Sequence, residues 1–128
     1  MKISEYFSNA RGHGVLATAN KKGEVNAAVY SKPYFTDDNT AVFIMAESLT
    51  YENIKTNPFA IYLFIESTEE WTGKRLYLKK LKEEQDEQML AKICQICDYS
   101  HYDVGNRHIA YFNVERVLPL LGSNPEYP

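Results

Sequence analysis

Gly14-Val15-Leu16-Ala17-Thr18-Ala19-Asn20-Lys21-Lys22-Gly23-Glu24-Val25-Asn26-Ala27-Ala28-Val29-Tyr30 is the stretch on which the fold turns. It holds two mostly apolar segments, residues 15–19 and 24–30, on either side of Asn20-Lys21-Lys22-Gly23. A short Asn, Lys and Gly run between such segments marks a turn, so two strands are expected. Upstream, Ile3, Tyr6, Phe7 and Ala10 fall at i, i+3, i+4 and i+7, the spacing of one helix face. Ser4 is the expected N-cap of that short helix, with Gly12 and Gly14 as its terminators.

Downstream, Pro33 closes the second strand because it has no N–H to give a ladder. Thr36-Asp37-Asp38-Asn39 reads as a hairpin loop, since these side chains bond their own backbone. Residues 40–45 (TAVFIM) read as a buried strand. Residues 50–55 read as a short helix, stopped at Asn57-Pro58 because a residue before proline is pushed out of the helical region. Residues 59–66 form the next expected strand. Trp71-Thr72-Gly73 then leads into another over 74–80, where Leu76 and Leu78 alternate with Arg75, Tyr77 and Lys79. The period changes over 83–98. Met89, Leu90, Ile93, Ile96 and Cys97 share one helical stripe, and Glu83, Glu84, Asp86 and Glu87 gather near its N-terminal end, where they favour the helix dipole. A polar loop over 99–107 precedes a last strand over 109–118, and residues 119–128 are expected to be a loose tail.

Six short strands with short connections predict a mainly β protein, a small antiparallel barrel with helices at its ends, because closure removes exposed edges. The 128 residues suit a single domain spanning the chain. With 14 Lys and Arg against 17 Asp and Glu, the net charge of −3 argues against sequence-independent nucleic-acid binding. The longest apolar run, residues 60–65, falls far short of the roughly 20 residues that cross a bilayer. Residues 1–6 lack the apolar stretch of a secretory signal, and two cysteines three apart cannot staple a secreted scaffold, so a cytoplasmic location is expected. Ten Tyr and six Phe suit either a β-rich core or a planar ligand. So many aromatics on so small a barrel also predict an exposed apolar patch and self-association.

Three patterns carry possible chemistry. Cys94-x-x-Cys97-x3-His101 has the spacing of a zinc or dithiol redox site, but the second half of a zinc site is missing. The competing reading places Cys97 in the buried helix stripe with Cys94 beside it. His13, His101 and His108 have no Ser or Cys in a nucleophile turn to serve. The stretch Met45-Ala46-Glu47-Ser48-Leu49-Thr50-Tyr51-Glu52-Asn53 leaves a strand and enters a helix, so its N–H groups and the Ser48 and Thr50 hydroxyls can form an anion site. Taken locally, it reads equally as a plain capped helix, and that reading is the commoner one.

The order of the pieces resembles the pyridoxamine 5'-phosphate oxidase-like family of FMN-binding split barrels. The resemblance rests on residues 14–19, the turn ending in Gly23, residues 26–30, the strand 41–46, Thr50-Tyr51-Glu52-Asn53-Ile54-Lys55-Thr56-Asn57-Pro58, and Gly73-Lys74-Arg75-Leu76-Tyr77-Leu78. It implies a six-stranded split barrel and a homodimer with FMN in a cleft shared by both chains. Asn26, Ala28, Val29 and Tyr30 would then pass the ring or ribityl chain, and Met45 and Ala46 would line the ring. Ser48, Thr50, Tyr51 and Asn53 would surround the phosphate, with Trp71, Lys74 and Arg75 approaching from the next loop and strand. Two departures stand out. Many members carry Arg in the strand held here by residues 26–30 and Lys or Arg in the phosphate loop, where this chain has Thr50-Tyr51 flanked by Glu47 and Glu52. The oxidase's C-terminal substrate segment has no counterpart, so pyridoxamine phosphate is not the expected substrate. An oxidoreductase or electron carrier is implied, with a module binding haem or a deazaflavin as the alternative.

Overall fold

The computed structural model describes residues 2–97 and 107–123, with side chains left undescribed at 95–97. Three helices and seven strands follow in the order α1 (Ile3–Asn9), β1 (Gly12–Ala19), β2 (Val25–Tyr30), β3 (Tyr34–Asp37), β4 (Thr40–Met45), α2 (Leu49–Thr56), β5 (Phe59–Glu66), β6 (Gly73–Glu84), α3 (Glu87–Cys97) and β7 (His108–Pro119). The strands form one antiparallel sheet in the order β2-β1-β5-β6-β7-β4-β3.

The predicted hairpin is present, with Thr18 opposite Asn26 and Gly14 opposite Tyr30. Its turn uses Gly23 at φ +83°, a left-handed conformation that glycine adopts without a Cβ clash. The sheet curls until its ends meet through side chains. Tyr30 of β2 packs edge-on against Phe43 of β4 at 6.0 Å, although four strands separate them in the ladder. Tyr62 of β5 donates its hydroxyl to the Tyr30 carbonyl at 3.0 Å. Inside lie Leu16, Phe43, Tyr62, Phe64, Leu76 and Phe112, all fully buried and drawn from five strands. Gly14 is required by this closure, because a Cβ there would stand 2.0 Å from the Tyr62 Oη. α1 covers one end of the barrel with Phe7, packed on Phe35, Tyr62 and Phe64. α2 sits against β1 and β2 near the other.

The mainly β class and the barrel are as expected, and the differences are local. The described residues form seven strands rather than six. Tyr34 and Phe35 pair with Val42 and Ala41 immediately after Pro33, so the expected loop shrinks to a tight turn. In that turn the Asp37 carboxylate accepts from the Asn39 N–H at 2.9 Å and the Thr40 hydroxyl at 3.1 Å, which hold its pKa below the usual value. β1 begins at Gly12, so both glycines lie in a strand instead of ending α1, whose N-cap is Lys2 and not Ser4. β6 continues to Glu84, because Lys82, Glu83 and Glu84 pair with Tyr111, Ala110 and Ile109. Only Asp86 and Glu87 therefore serve the start of α3, with Asp86 Oδ1 accepting from the Gln88 and Met89 N–H groups. The expected pairing of Cys97 with His101, and the loop 99–107 apart from Arg107, lie outside the described residues, as do residues 124–128 of the tail. Residues 119–122 are tied back: Arg75 donates to the Pro119 and Gly122 carbonyls, and the Leu120 N–H bonds Gly73. No helix among the described residues is long and apolar enough to cross a membrane.

The outer surface of the sheet divides in two. Over β4 and β7, α3 lays Ile93, Met89, Leu90 and Cys94 on Val42, Ile44, Ile109 and Tyr111, a second small core. Over β2, β1, β5 and β6 no element among the described residues covers the outward residues, and there the candidate site lies.

Candidate functional site

Alternation decides what this bare face presents. Strand residues point to opposite faces in turn, so Leu16 and Thr18, Ala60 and Tyr62, and Leu76 and Leu78 go inward. Their neighbours Ala17, Ile61 and Tyr77 go outward. The ladder sets Ala27, Ala17, Ile61, Tyr77 and Arg116 in one row across five strands. The alanines at the β2–β1 end of this row leave a depression, and larger side chains around it give walls. The result is a cleft of about 590 Å³ floored by Ala17 and Ile61 and bounded by Val25, Phe59, Tyr77 and Arg116. Val25 and Val29 are 83% and 74% exposed beside it. Isolated exposed apolar residues are ordinary, but a continuous row is the mark of an interaction surface.

A polar corner adjoins the cleft where α2 meets β1 and β2. Ser48 caps α2 by accepting from the Tyr51 N–H at 3.3 Å. Asn26 donates to the buried Thr50 hydroxyl at 3.2 Å, and the buried Asn53 donates to Thr18 at 3.1 Å. The Leu49 and Thr50 N–H groups, in the first turn, lie outside the helix's own ladder and face outward along its axis. Two acids flank this corner, and each has a cationic or titratable neighbour. Glu52 pairs with Lys55 at 3.5 Å, and Glu47 lies 3.6 Å from His108 Nε2. Tyr51 stacks on the His108 ring with centroids 4.0 Å apart. Burial, then a hydrogen bond and the charge of Glu83, with Glu47 and Glu52 behind them, raise the Tyr51 pKa above its usual value.

The residues singled out from the sequence fall into separate groups. Asn26, Ser48, Thr50, Tyr51 and Asn53 meet at the α2 corner. Met45 is wholly buried in the core, so the loop presents Ala46 and not the Met45 side chain. Ala28 and Tyr30 face inward on β2, whereas Val29 faces outward. Trp71 is 71% exposed on the loop before β6. Lys74 lies over the Tyr6 ring, and Arg75 is engaged by the C-terminal carbonyls. By register, Lys74 shares a row with Gly14 and Tyr30, four residues along β1 from the Thr18–Asn26 row, about 13 Å. One chain therefore does not bring Lys74 and Arg75 to the α2 corner. None of the residues singled out lines the cleft either. Ala17, Ile61, Phe59, Tyr77 and Arg116 were missed, although a signal existed: residues 15–19 and 59–65 are apolar on both faces, which in a sheet means cover on both sides.

No protein-family model matches the sequence, and no curated protein matches it. Solved structures do. An FMN-binding protein from Syntrophomonas wolfei superposes with a TM-score of 0.78 at 20% identity, over 96% of this chain and 86% of that one. The fold is that of the pyridoxamine 5'-phosphate oxidase-like split barrels. An F420 reductase has the same split barrel, with a TM-score of 0.73 at 16% identity over 89% of this chain and 94% of that one. So does a haem-binding protein from Mycobacterium smegmatis, with a TM-score of 0.70 at 15% identity over 98% of this chain and 55% of that one. Structures that share this split barrel are thus named for FMN, F420 and haem. No group of three His, Cys, Asp or Glu placed to hold a metal occurs among the described residues.

Proposed function

We propose that this protein is an FMN-binding flavoprotein of the pyridoxamine 5'-phosphate oxidase-like family. In this reading it is a cytoplasmic homodimer that transfers electrons or hydride to a small acceptor. The observation that carries the reading is the apolar half of the split barrel left bare among the described residues, with a cleft that reaches α2 at Thr18 and Asn57 and a hydroxyl-rich N-terminus on that same helix. The donor set suits FMN. A phosphate needs N–H and O–H donors, which Leu49, Thr50 and Ser48 supply, while an isoalloxazine ring needs a flat apolar surface, which the row from Ala27 to Tyr77 supplies.

When bound, FMN supplies the redox chemistry, and the chain's residues bind and orient it. Ser48, Thr50 and the first turn of α2 hold the phosphate, with Asn26 fixing the Thr50 hydroxyl. Lys55 offsets the charge of Glu52 beside the dianion, and Glu47 lies against the His108 ring. Ala28, Val29 and Tyr30 set the path of β2 past the ring, and Tyr51 and Asn53 lock α2 in place. A second copy laid on the bare face roofs the cleft and excludes water, and it brings Trp71, Lys74 and Arg75 to a site that one chain leaves incomplete. No side chain is assigned as acid or base.

The visible spectrum of the protein after incubation with FMN and desalting tests the proposal. Retained flavin with light scattering at twice 14.8 kDa supports it. A flavin-free monomer overturns it. The second reading, a module for haem or a deazaflavin, is favoured by the haem-binding and F420-reductase likenesses. It predicts a Soret band with hemin, or quenched F420 fluorescence, where FMN fails.

A further inference from the structure

We infer that the outer-face cleft selects a planar aromatic anion, and that Arg116 recognises the ligand's negative group. This rests on the cleft being a ligand site, as in the proposed function, but not on the ligand being FMN. β7 carries a bulge. Tyr77 pairs with Arg116 and Leu78 with Val114, so Glu115 is extra, and Glu115 and Arg116 are both exposed instead of alternating. Bulges re-aim a side chain, and this one lays the Arg116 guanidinium 4.1 Å from the centroid of the Tyr77 ring, on the lip of the cleft. No carboxylate lies within ion-pair distance of Arg116 among the described residues. Its neighbour Glu115 also lines the cleft, with its carboxylate turned to Asn113, from whose Nδ2 it accepts at 2.5 Å.

A guanidinium held over a ring by cation–π attraction is positioned while its N–H donors stay available, which suits binding of a carboxylate, phosphate or sulfonate. The floor beside it is flat and apolar, so a ring system sliding over Ala17 and Ile61 meets Arg116 with its acidic edge. A neutral ring would leave these donors unused.

Two fluorescent probes with the same aromatic frame separate the terms: anilinonaphthalene sulfonate carries the negative group and phenylnaphthylamine lacks it. The full chain is expected to bind the sulfonate about tenfold more tightly, a typical gain for a charge-assisted pair. Arg116→Met should remove that preference and leave phenylnaphthylamine affinity unchanged, Arg116→Lys should keep part of it, and Ala17→Trp, which fills the floor, should abolish both. Arg116 is exposed, so Arg116→Met is expected to melt like the parent protein. A preference that survives Arg116→Met overturns the inference. So does equal weakening of both probes, or failure of both to bind the parent protein because a second copy fills the cleft. FMN titrated in parallel keeps the two readings apart: FMN binding without probe preference sinks only this inference, and probe preference without FMN binding sinks only the flavoprotein reading.

Discussion

Replacing both Ser48 and Thr50 with Ala removes the two hydroxyls assigned to the cofactor phosphate, and the structure separates what this does to the fold from what it does to binding. Ser48 is exposed and its cap bond is long at 3.3 Å, so its loss costs about 0.5–1 kcal/mol of stability, the low end for an N-cap. Thr50 is buried, and its loss leaves the Asn26 amide without its partner at 3.2 Å, about another 1 kcal/mol. The variant should thus fold, weakened by roughly 2 kcal/mol, or about 5–10 °C in Tm for a domain of this size. Binding should suffer more. Two hydrogen bonds to a dianion are worth about 3 kcal/mol together, roughly a hundredfold in Kd. Riboflavin, which has the ring without the phosphate, serves as the internal control. Fluorescence titrations should therefore show FMN affinity falling about a hundredfold while riboflavin affinity stays within about twofold. An unchanged ratio of FMN to riboflavin affinity in a folded variant would refute the phosphate assignment, whatever happened to stability.

Three further outcomes are expected. Gly14→Ala should destabilise by about 2–4 kcal/mol, because its Cβ would displace the buried Tyr62 ring and its bond to Tyr30; a chemical-denaturation midpoint equal to that of the parent would contradict the side-chain closure of the barrel. Val29→Lys should leave the folded monomer within about 0.5 kcal/mol, since Val29 is 74% exposed, yet abolish self-association; a variant that still runs as a dimer in light scattering would place the interface elsewhere. Tyr111, beside Glu84, has its pKa pushed up to about 12 by burial and then by that carboxylate, from an ordinary value near 10. The folded state holds this proton more tightly, so the stability it confers is complete below pH 10 and is lost as the pH rises to about 12. Tyr111→Phe should flatten that alkaline decline, and an unaltered slope of urea midpoint against pH would count against the coupling.

Local chemistry made much of the fold legible. The turn at Gly23, the apolar runs at 40–45 and 59–66, and the stop at Asn57-Pro58 each depend on neighbours close in the chain. So does the apolar side of α3 at Met89, Leu90 and Ile93. The errors came where a distant partner overrides a local sign. Gly12 and Gly14 look like helix terminators, yet Gly14 is dictated by Tyr62, 48 positions later. Glu83 and Glu84 look like the start of a helix, but pairing with Ala110 and Ile109 holds them in β6. Pro33 looks like the end of pairing, yet Tyr34 and Phe35 find β4 at once, because proline withholds only its own N–H.

The site divides along the same line. The sequence by itself determined the α2 corner, where Ser48, Thr50, Tyr51 and Asn53 lie within six residues and the helix that follows a strand sets their geometry. It also determined that β1 and β5 carry apolar side chains on both faces. Tertiary structure alone decided which of those faces the described residues leave bare, because that depends on α3 landing over β4 and β7 rather than on the other half of the sheet. It alone set Ala27, Ala17, Ile61, Tyr77 and Arg116 in one row, since residues from five strands become neighbours only when ladder registers are fixed. Periodicity along a chain reports which face a residue occupies. Which residues stand beside it across the sheet is settled by hydrogen-bond register, which no single strand carries.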